Sequence, residues 1–148
     1  MAFRYRLEAL LRLQRSVEHQ EENRLLACAA RVAGLHAELR AWEALRLERK
    51  NAAWQDSAQG TPGILLQFAA EWDDAADRRE KEIHERLKAA QAAQKKQMQV
   101  YREARQKREI LEGLKERQES AYTTEELRRL QEGLDEAHLL QLFYASTR

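Results

Sequence analysis

The chain has almost nothing that would break a helix. Its 148 residues include one proline and five glycines. β-Branched side chains are also few, so neither a sheet nor a succession of tight turns is favoured. A single cysteine, Cys28, excludes an intramolecular disulfide and a cysteine-based zinc site. No apolar run approaches the roughly 20 residues that a membrane span requires. Neither sign of charge dominates: 26 basic residues meet 25 acidic ones, for a net charge of +1. What is abundant is Ala, Leu, Glu, Gln, Arg and Lys, the composition of long helices and coiled coils. The apolar residues are spread thinly, so burial is expected along a seam rather than in a closed core.

The spacing of those residues supports this. From Phe3 the apolar positions run Phe3, Leu7, Leu10, Leu13 and Val17, and then Leu25, Cys28, Val32, Leu35, Leu39 and Trp42. The second run is a heptad seam. The first reads as the same seam interrupted by a stutter between residues 17 and 25, bridged by Glu21. Helix 1 is expected over about 3–57. The segment SAQGTPG at 57–63 holds the chain's only concentrated breakers, Gly60, Pro62 and Gly63, and predicts a turn at about 58–63. A second seam follows: Leu65, Ala69, Trp72, Ala76, Arg79, Ile83, Leu87, Ala90, Gln94, Gln97, Tyr101, Ala104, Arg108, Leu111 and Lys115. Helix 2 is expected over about 64–143; Thr123-Thr124-Glu125-Glu126 reads either as a capping box for a separate helix or as a weak point in a continuous one, and continuity with room for a kink is favoured.

Two seams joined by one tight turn predict an all-α fold, a long antiparallel two-helix coiled coil forming a single helical-hairpin domain over 1–148. The paired part should be roughly 80 Å long at 1.5 Å per residue. Folding about Pro62 sets Phe3 and Leu7 beside residues near 115 to 118, Trp42 beside Arg79, and Trp72 beside Arg49. The end of helix 2 then overhangs the N-terminus. It carries Leu127, Leu130, Leu134, Ala137, Leu140 and Phe143, and an uncovered stripe implies a partner or a second copy. The opening lacks a secretory apolar core, and Glu8, Glu18, Glu21 and Glu22 do not suit a transit peptide, so it is expected to belong to the fold.

Several chemical readings fail on context. The string DEAH at 135–138 resembles a helicase motif, but it follows no strand and has no phosphate-binding loop to work with. Asp135 and His138, like Glu80 and His84, form isolated helix-surface pairs, because His19 and His36 are scattered elsewhere. Cys28 falls on the seam as a small buried hydrophobe. No serine or cysteine has a histidine partner, so no enzyme activity and no cofactor are expected. Residues 78–117 hold thirteen Lys or Arg against seven acids. Those bases are dispersed around the helix, whereas phosphate binding prefers a one-sided stripe, so nucleic acid is not the expected partner. Trp42, Trp54 and Trp72 all map to the turn-side half, near Arg46, Arg49 and Arg79. Wide rings splay a two-stranded seam, and half-exposed aromatics with arginines have the make-up of a binding hot spot.

The opening FRYRLEALLRLQRSVEHQEENRLL resembles the start of the flagellar export protein FliJ family, in which a basic-aromatic stretch precedes an acidic helix. The closing segments KREILEGLKERQESAY and EELRRLQEGLDEAHLLQLF are similar to that family's second signature. An injectisome stalk protein would look much the same. The residues alone also remain compatible with a generic coiled-coil adaptor. The resemblance implies a soluble cytoplasmic component of the type III protein export complex, similar to the central stalk of rotary ATPases. It would sit in a hexameric export ATPase and promote ring assembly. It would also contact the FlhA-type export gate and bind export chaperones, lying peripherally at the cytoplasmic face of the inner membrane through these partners. Carried over residue by residue, the resemblance puts gate binding on Glu38, Trp42, Leu45 and Arg49 of the first helix and on Trp72, Ala76 and Arg79 of the second. Contact with the ATPase ring falls on Phe3, Arg4, Arg6, Leu7 and Leu10, together with Leu127, Leu130 and Leu134.

Overall fold

The chain folds into two helices, α1 (Glu8–Ser57) and α2 (Gly63–Ser146), packed against each other as an antiparallel hairpin, with no strand among the described residues. This is a computed structural model, and it describes residues 2–60 and 62–147. Thr61, part of the expected turn, lies outside the described residues.

The turn forms where the breakers are. The last turn of α1 tightens, with the N–H of Gln59 donating to the Asp56 carbonyl at 3.1 Å and that of Gly60 to the Ser57 carbonyl at 3.3 Å. Gly60 then adopts φ +85°, a left-handed conformation that a residue without Cβ enters at little cost. Pro62 precedes the first residue of α2, where a missing N–H costs nothing, and its carbonyl accepts the Leu65 N–H at 3.0 Å. The candidate capping box at Thr123–Glu126 does not start a separate helix: α2 continues through it unbroken. There the Thr123 and Thr124 hydroxyls donate to the carbonyls of Glu119 and Ser120, four residues earlier.

Helix 1 begins later than the sequence predicts, at Glu8 rather than at residue 3. Tyr5 explains the difference. Kept outside the helix, its ring tucks against Leu11 and Leu111, and its hydroxyl donates to the Leu111 carbonyl at 3.0 Å. A helical residue 5 could not deliver a phenol there. Glu8 then sits in the first turn, where a negative charge suits the helix dipole. Lys115 caps it at 2.9 Å and holds its carboxyl below the usual range. Replacing Tyr5 by Phe should cost about 1 kcal/mol, the net value of one buried hydrogen bond. Urea unfolding followed by circular dichroism would read this; an unchanged midpoint would show that the hydroxyl contributes nothing.

The hairpin comprises two compact units, one of residues 19–102 and one of residues 1–18 with 103–148. In the first, Leu35, Leu39, Ile83, Leu87 and Ala90 form the core, with Val32 and Trp42 packed against it. In the second, Tyr5, Leu11 and Leu111 do so, with Phe3 alongside. These core positions of α2 are the expected ones, although Glu80 rather than the exposed Arg79 faces the seam.

The seam of α1 needs a larger correction. Leu11 is fully buried, while Leu10 is 41% and Leu13 56% exposed. There is no stutter: the covered positions run Leu11, Gln14, Glu18, Glu21, Leu25, Cys28, Val32, Leu35, Leu39, Trp42 and Arg46, in unbroken steps of three and four. Acids occupy two of these core positions because α2 supplies partners for them. Within the 19–102 unit, Glu21 is buried and accepts hydrogen bonds from the Gln97 amide, which also donates to the Glu21 backbone carbonyl at 3.2 Å. Within the other unit, Arg108 pairs with Glu18 and Glu112, and Arg15 reaches Glu112 at 3.0 Å. The adjacent Arg15 guanidinium, with Arg108, keeps the Glu112 carboxyl below its ordinary range.

Candidate functional site

Two regions are left without cover by the fold, one in each unit. In the 19–102 unit, the last seam layer before the turn is aromatic. The Trp42 and Trp72 rings lie 6.2 Å apart and tilted by 32°, and the Arg49 guanidinium stands 4.7 Å from the Trp72 ring centre. The expected pairing of Arg49 with Trp72 is therefore present. Around this layer, Arg46 holds both Asp77 and Glu80, and Asp77 raises the basicity of Arg46 further. Glu38 receives Arg79 at 3.2 Å and Arg86 at 3.4 Å. Trp42 Nε1 and Arg46 Nε are buried and find no hydrogen-bond partner among the described residues.

Beyond the tryptophans the seam opens. The second seam is expected to start at Leu65 and pass through Ala69, yet every described residue from 47 to 71 is exposed. The next seam residues towards the turn, Ala53 and Ala69, are small, and both line the space between the arms. What remains is a cleft of about 660 Å³ between the arms, floored by Ala53, Leu65, Ala69 and Trp72. Arg49 and Lys50 rim it on α1, with Glu71 and Asp73 on α2. Trp54 stands 77% exposed.

The residues assigned to gate binding all lie in the 19–102 unit, in two contact groups. Trp42, Trp72 and Arg49 form one connected set, Glu38 and Arg79 form a separate ion pair, and Leu45 is exposed. Ala76 differs from the rest: at 1% exposure it packs the seam beneath them.

The second region lies in the other unit. Phe3 stacks against Tyr122 with ring centres 5.6 Å apart. This sets the N-terminal segment, with the exposed Arg4, Arg6, Leu7 and Leu10, beside α2 just before the overhang. Every described residue from 126 onward is exposed. Leu127, Leu130 and Leu134 are each more than 60% exposed, and Leu139, Leu140, Leu142, Phe143 and Tyr144 make the last turns apolar all round. The DEAH string lies on this same exposed length of helix. Among the described residues, no group of three His, Cys, Asp or Glu side chains converges as a metal site would require.

The sequence pattern missed the polar partners at the seam, although a signal was present. Counting back seven from Leu25 and Cys28 lands on Glu18 and Glu21, and seven more lands on Leu11 and Gln14. Compared with protein-family models, with curated proteins and with solved structures, the chain gives no match.

Proposed function

We propose that this chain is the central-stalk component of a type III protein export ATPase complex of the flagellar kind. In this reading it promotes assembly and activity of a hexameric ATPase ring and links it to the membrane export gate and to export chaperones. The observation that carries the reading is the uncovered apolar length of α2, with Leu127, Leu130 and Leu134 exposed and uncovered by any other described residue. Such a surface is stable in water only at a cost, and it marks a binding site. The resemblance of the opening and closing segments to the export family supplies the identity of the partner. No helix among the described residues is long and apolar enough to cross a membrane, so attachment to the membrane face runs through the gate.

The experiment is stimulation of ATP hydrolysis. The purified chain should raise the turnover of a hexameric export ATPase, and Leu130→Asp with Leu134→Asp should abolish that effect while helicity stays the same. A parent chain that gives no stimulation, or a double variant that stimulates fully, would overturn the reading. A coiled-coil adaptor unrelated to an ATPase would use the same surfaces and fail this assay. On the gate side, Trp42→Ala with Trp72→Ala should weaken binding to the gate's cytoplasmic domain and leave ATPase stimulation unaffected. If that variant loses helicity instead, the two rings are core and the gate assignment fails.

A further inference from the structure

The middle of the 19–102 unit is free of acid. Residues 23–37 of α1 and 86–102 of α2 contain no Asp or Glu, although 25 of the chain's 148 residues are acidic, and they carry seven Lys or Arg. The two stretches lie against each other, with Leu35 in one cluster with Leu87 and Ala90. On one flank this packing leaves a hollow of about 230 Å³. Arg31 of α1 and Arg86 of α2 line it, together with Cys28, Ala89, Ala90 and Ala93. One heptad away, Arg24 falls on the line of Arg31 and Lys96 on the line of Ala89, so two more cations border the same flank. All four bases are exposed. Arg24 pairs with Glu21 at 2.8 Å and Arg86 with Glu38 at 3.4 Å, whereas Arg31 and Lys96 have no acidic partner among the described residues. From these observations we infer that this flank is a docking site for an acidic α-helix of a partner protein, one of whose glutamates seats its carboxylate between Arg31 and Arg86.

Charge and shape together select this occupant. Cations gathered on one flank with no acid among them repel one another, and carboxylates brought by a partner relieve that repulsion. Guanidiniums bind carboxylates through paired, charge-assisted hydrogen bonds. Beneath them the hollow is floored by three alanines and Cys28, a surface on which the methylene stem of a glutamate can lie while its head meets the arginines. The residues around the hollow are small, so a helix can come close: Ala27, Gly34 and Ala93 are exposed, and nothing stands within 4 Å of the place a Cβ would take at Gly34. Nucleic acid fits less well. Neither stretch holds Phe or Trp, and Tyr101 is half-buried at the seam, so no ring is offered to an unpaired base. The other three bases, Lys88, Lys95 and Arg102, follow a different line of α2, so the charge does not form the single long stripe that a duplex needs. With little apolar area to bury, the contact is weak and fades as salt rises. This inference does not depend on the stalk reading.

The test uses Cys28, the chain's one cysteine, which lines the hollow, so its reaction with a maleimide reads occupancy directly. The probe is a synthetic alanine-based helical peptide with glutamates at seven-residue intervals. Its controls are the same peptide with glutamines in their place and a short DNA duplex. At low salt the acidic peptide should slow modification of Cys28 in the full chain, the glutamine peptide should not, and added salt should remove the effect. Arg31→Ala with Arg86→Ala should raise the half-protecting peptide concentration by at least roughly tenfold, the loss of two charge-assisted contacts. Helicity should stay the same, because both side chains are exposed and alanine favours a helix. Lys50→Ala, an exposed base away from the hollow, should change nothing. Absence of protection by the acidic peptide overturns the proposal, as does equal protection by the glutamine peptide or protection that survives loss of both arginines. Protection by the duplex where the acidic peptide gives none, or by raising the concentration of the chain itself, overturns the choice of an acidic partner helix.

Discussion

Ile83→Ala should lower the stability of the hairpin by about 3 kcal/mol, the cost of deleting a fully buried aliphatic side chain and leaving its space unfilled. Ile83 is 1% exposed, at the centre of the cluster of Leu35, Leu39, Leu87 and Ala90. A two-helix seam has no second layer to collapse into the gap, so the space stays open and the loss is not recovered by repacking. A shift of this size moves the folded-to-unfolded ratio by on the order of a hundredfold. Ile83→Val, which removes one methyl group, should cost about 1 kcal/mol and provides a graded control. Urea titration followed by helicity reads both. A loss below 1 kcal/mol for Ile83→Ala would show that the cluster is not the core of this unit.

The joint replacement Glu21→Leu with Gln97→Leu has the opposite expected sign and should raise stability by about 2 kcal/mol. Glu21 is 8% exposed at a core position, and its carboxylate has lost most of its water in exchange for the Gln97 amide and Arg24 at 2.8 Å. Such exchanges roughly break even, and apolar isosteres of similar size often do better. Glu21→Leu alone leaves the Gln97 amide facing an apolar surface, and that unmade hydrogen bond should cancel much of the gain. The cycle of two single variants and the pair therefore separates the two contributions. A pair less stable than the parent would show that the buried polar contact is a net asset. The more stable variant should also be less selective. With the glutamate in place, sliding the arms by a heptad strands a carboxylate against aliphatic neighbours, and leucine removes that penalty.

Most of the fold was legible in the sequence because a heptad is a one-dimensional signal. The turn was marked by Gly60 and Pro62, and the seam of α2 by Ile83, Leu87, Ala90, Ala104 and Leu111, where spacing alone decides which face is covered. Reading failed where an interaction across the hairpin decided the matter. Leu10 and Leu13 outrank Glu18 and Glu21 on any hydrophobicity scale, yet the acids are the covered residues because Arg108 and Gln97 lie opposite them. Tyr5 left the helix for an acceptor 106 positions away. The candidate surfaces were half legible. The tryptophans promised a splayed seam, but the cleft beyond them depends on how the two arms lie in space.

The closing stretch of α2 has a further consequence. Every described residue from 126 on is exposed, and the helix turns there depend on their own neighbours. Arg128 pairs with Glu125 and Glu132, Arg129 with Glu125, and the Tyr122 hydroxyl donates to Glu126 at 2.6 Å. Pairs of this kind contribute a few tenths of a kcal/mol each and fade as salt rises. With so little support beyond its own turns, this length of helix should be the easiest part of α2 to unwind, and a partner that grips it would also have to hold it helical. Part of the grip's strength goes into finishing that helix, which leaves the attachment specific but readily released.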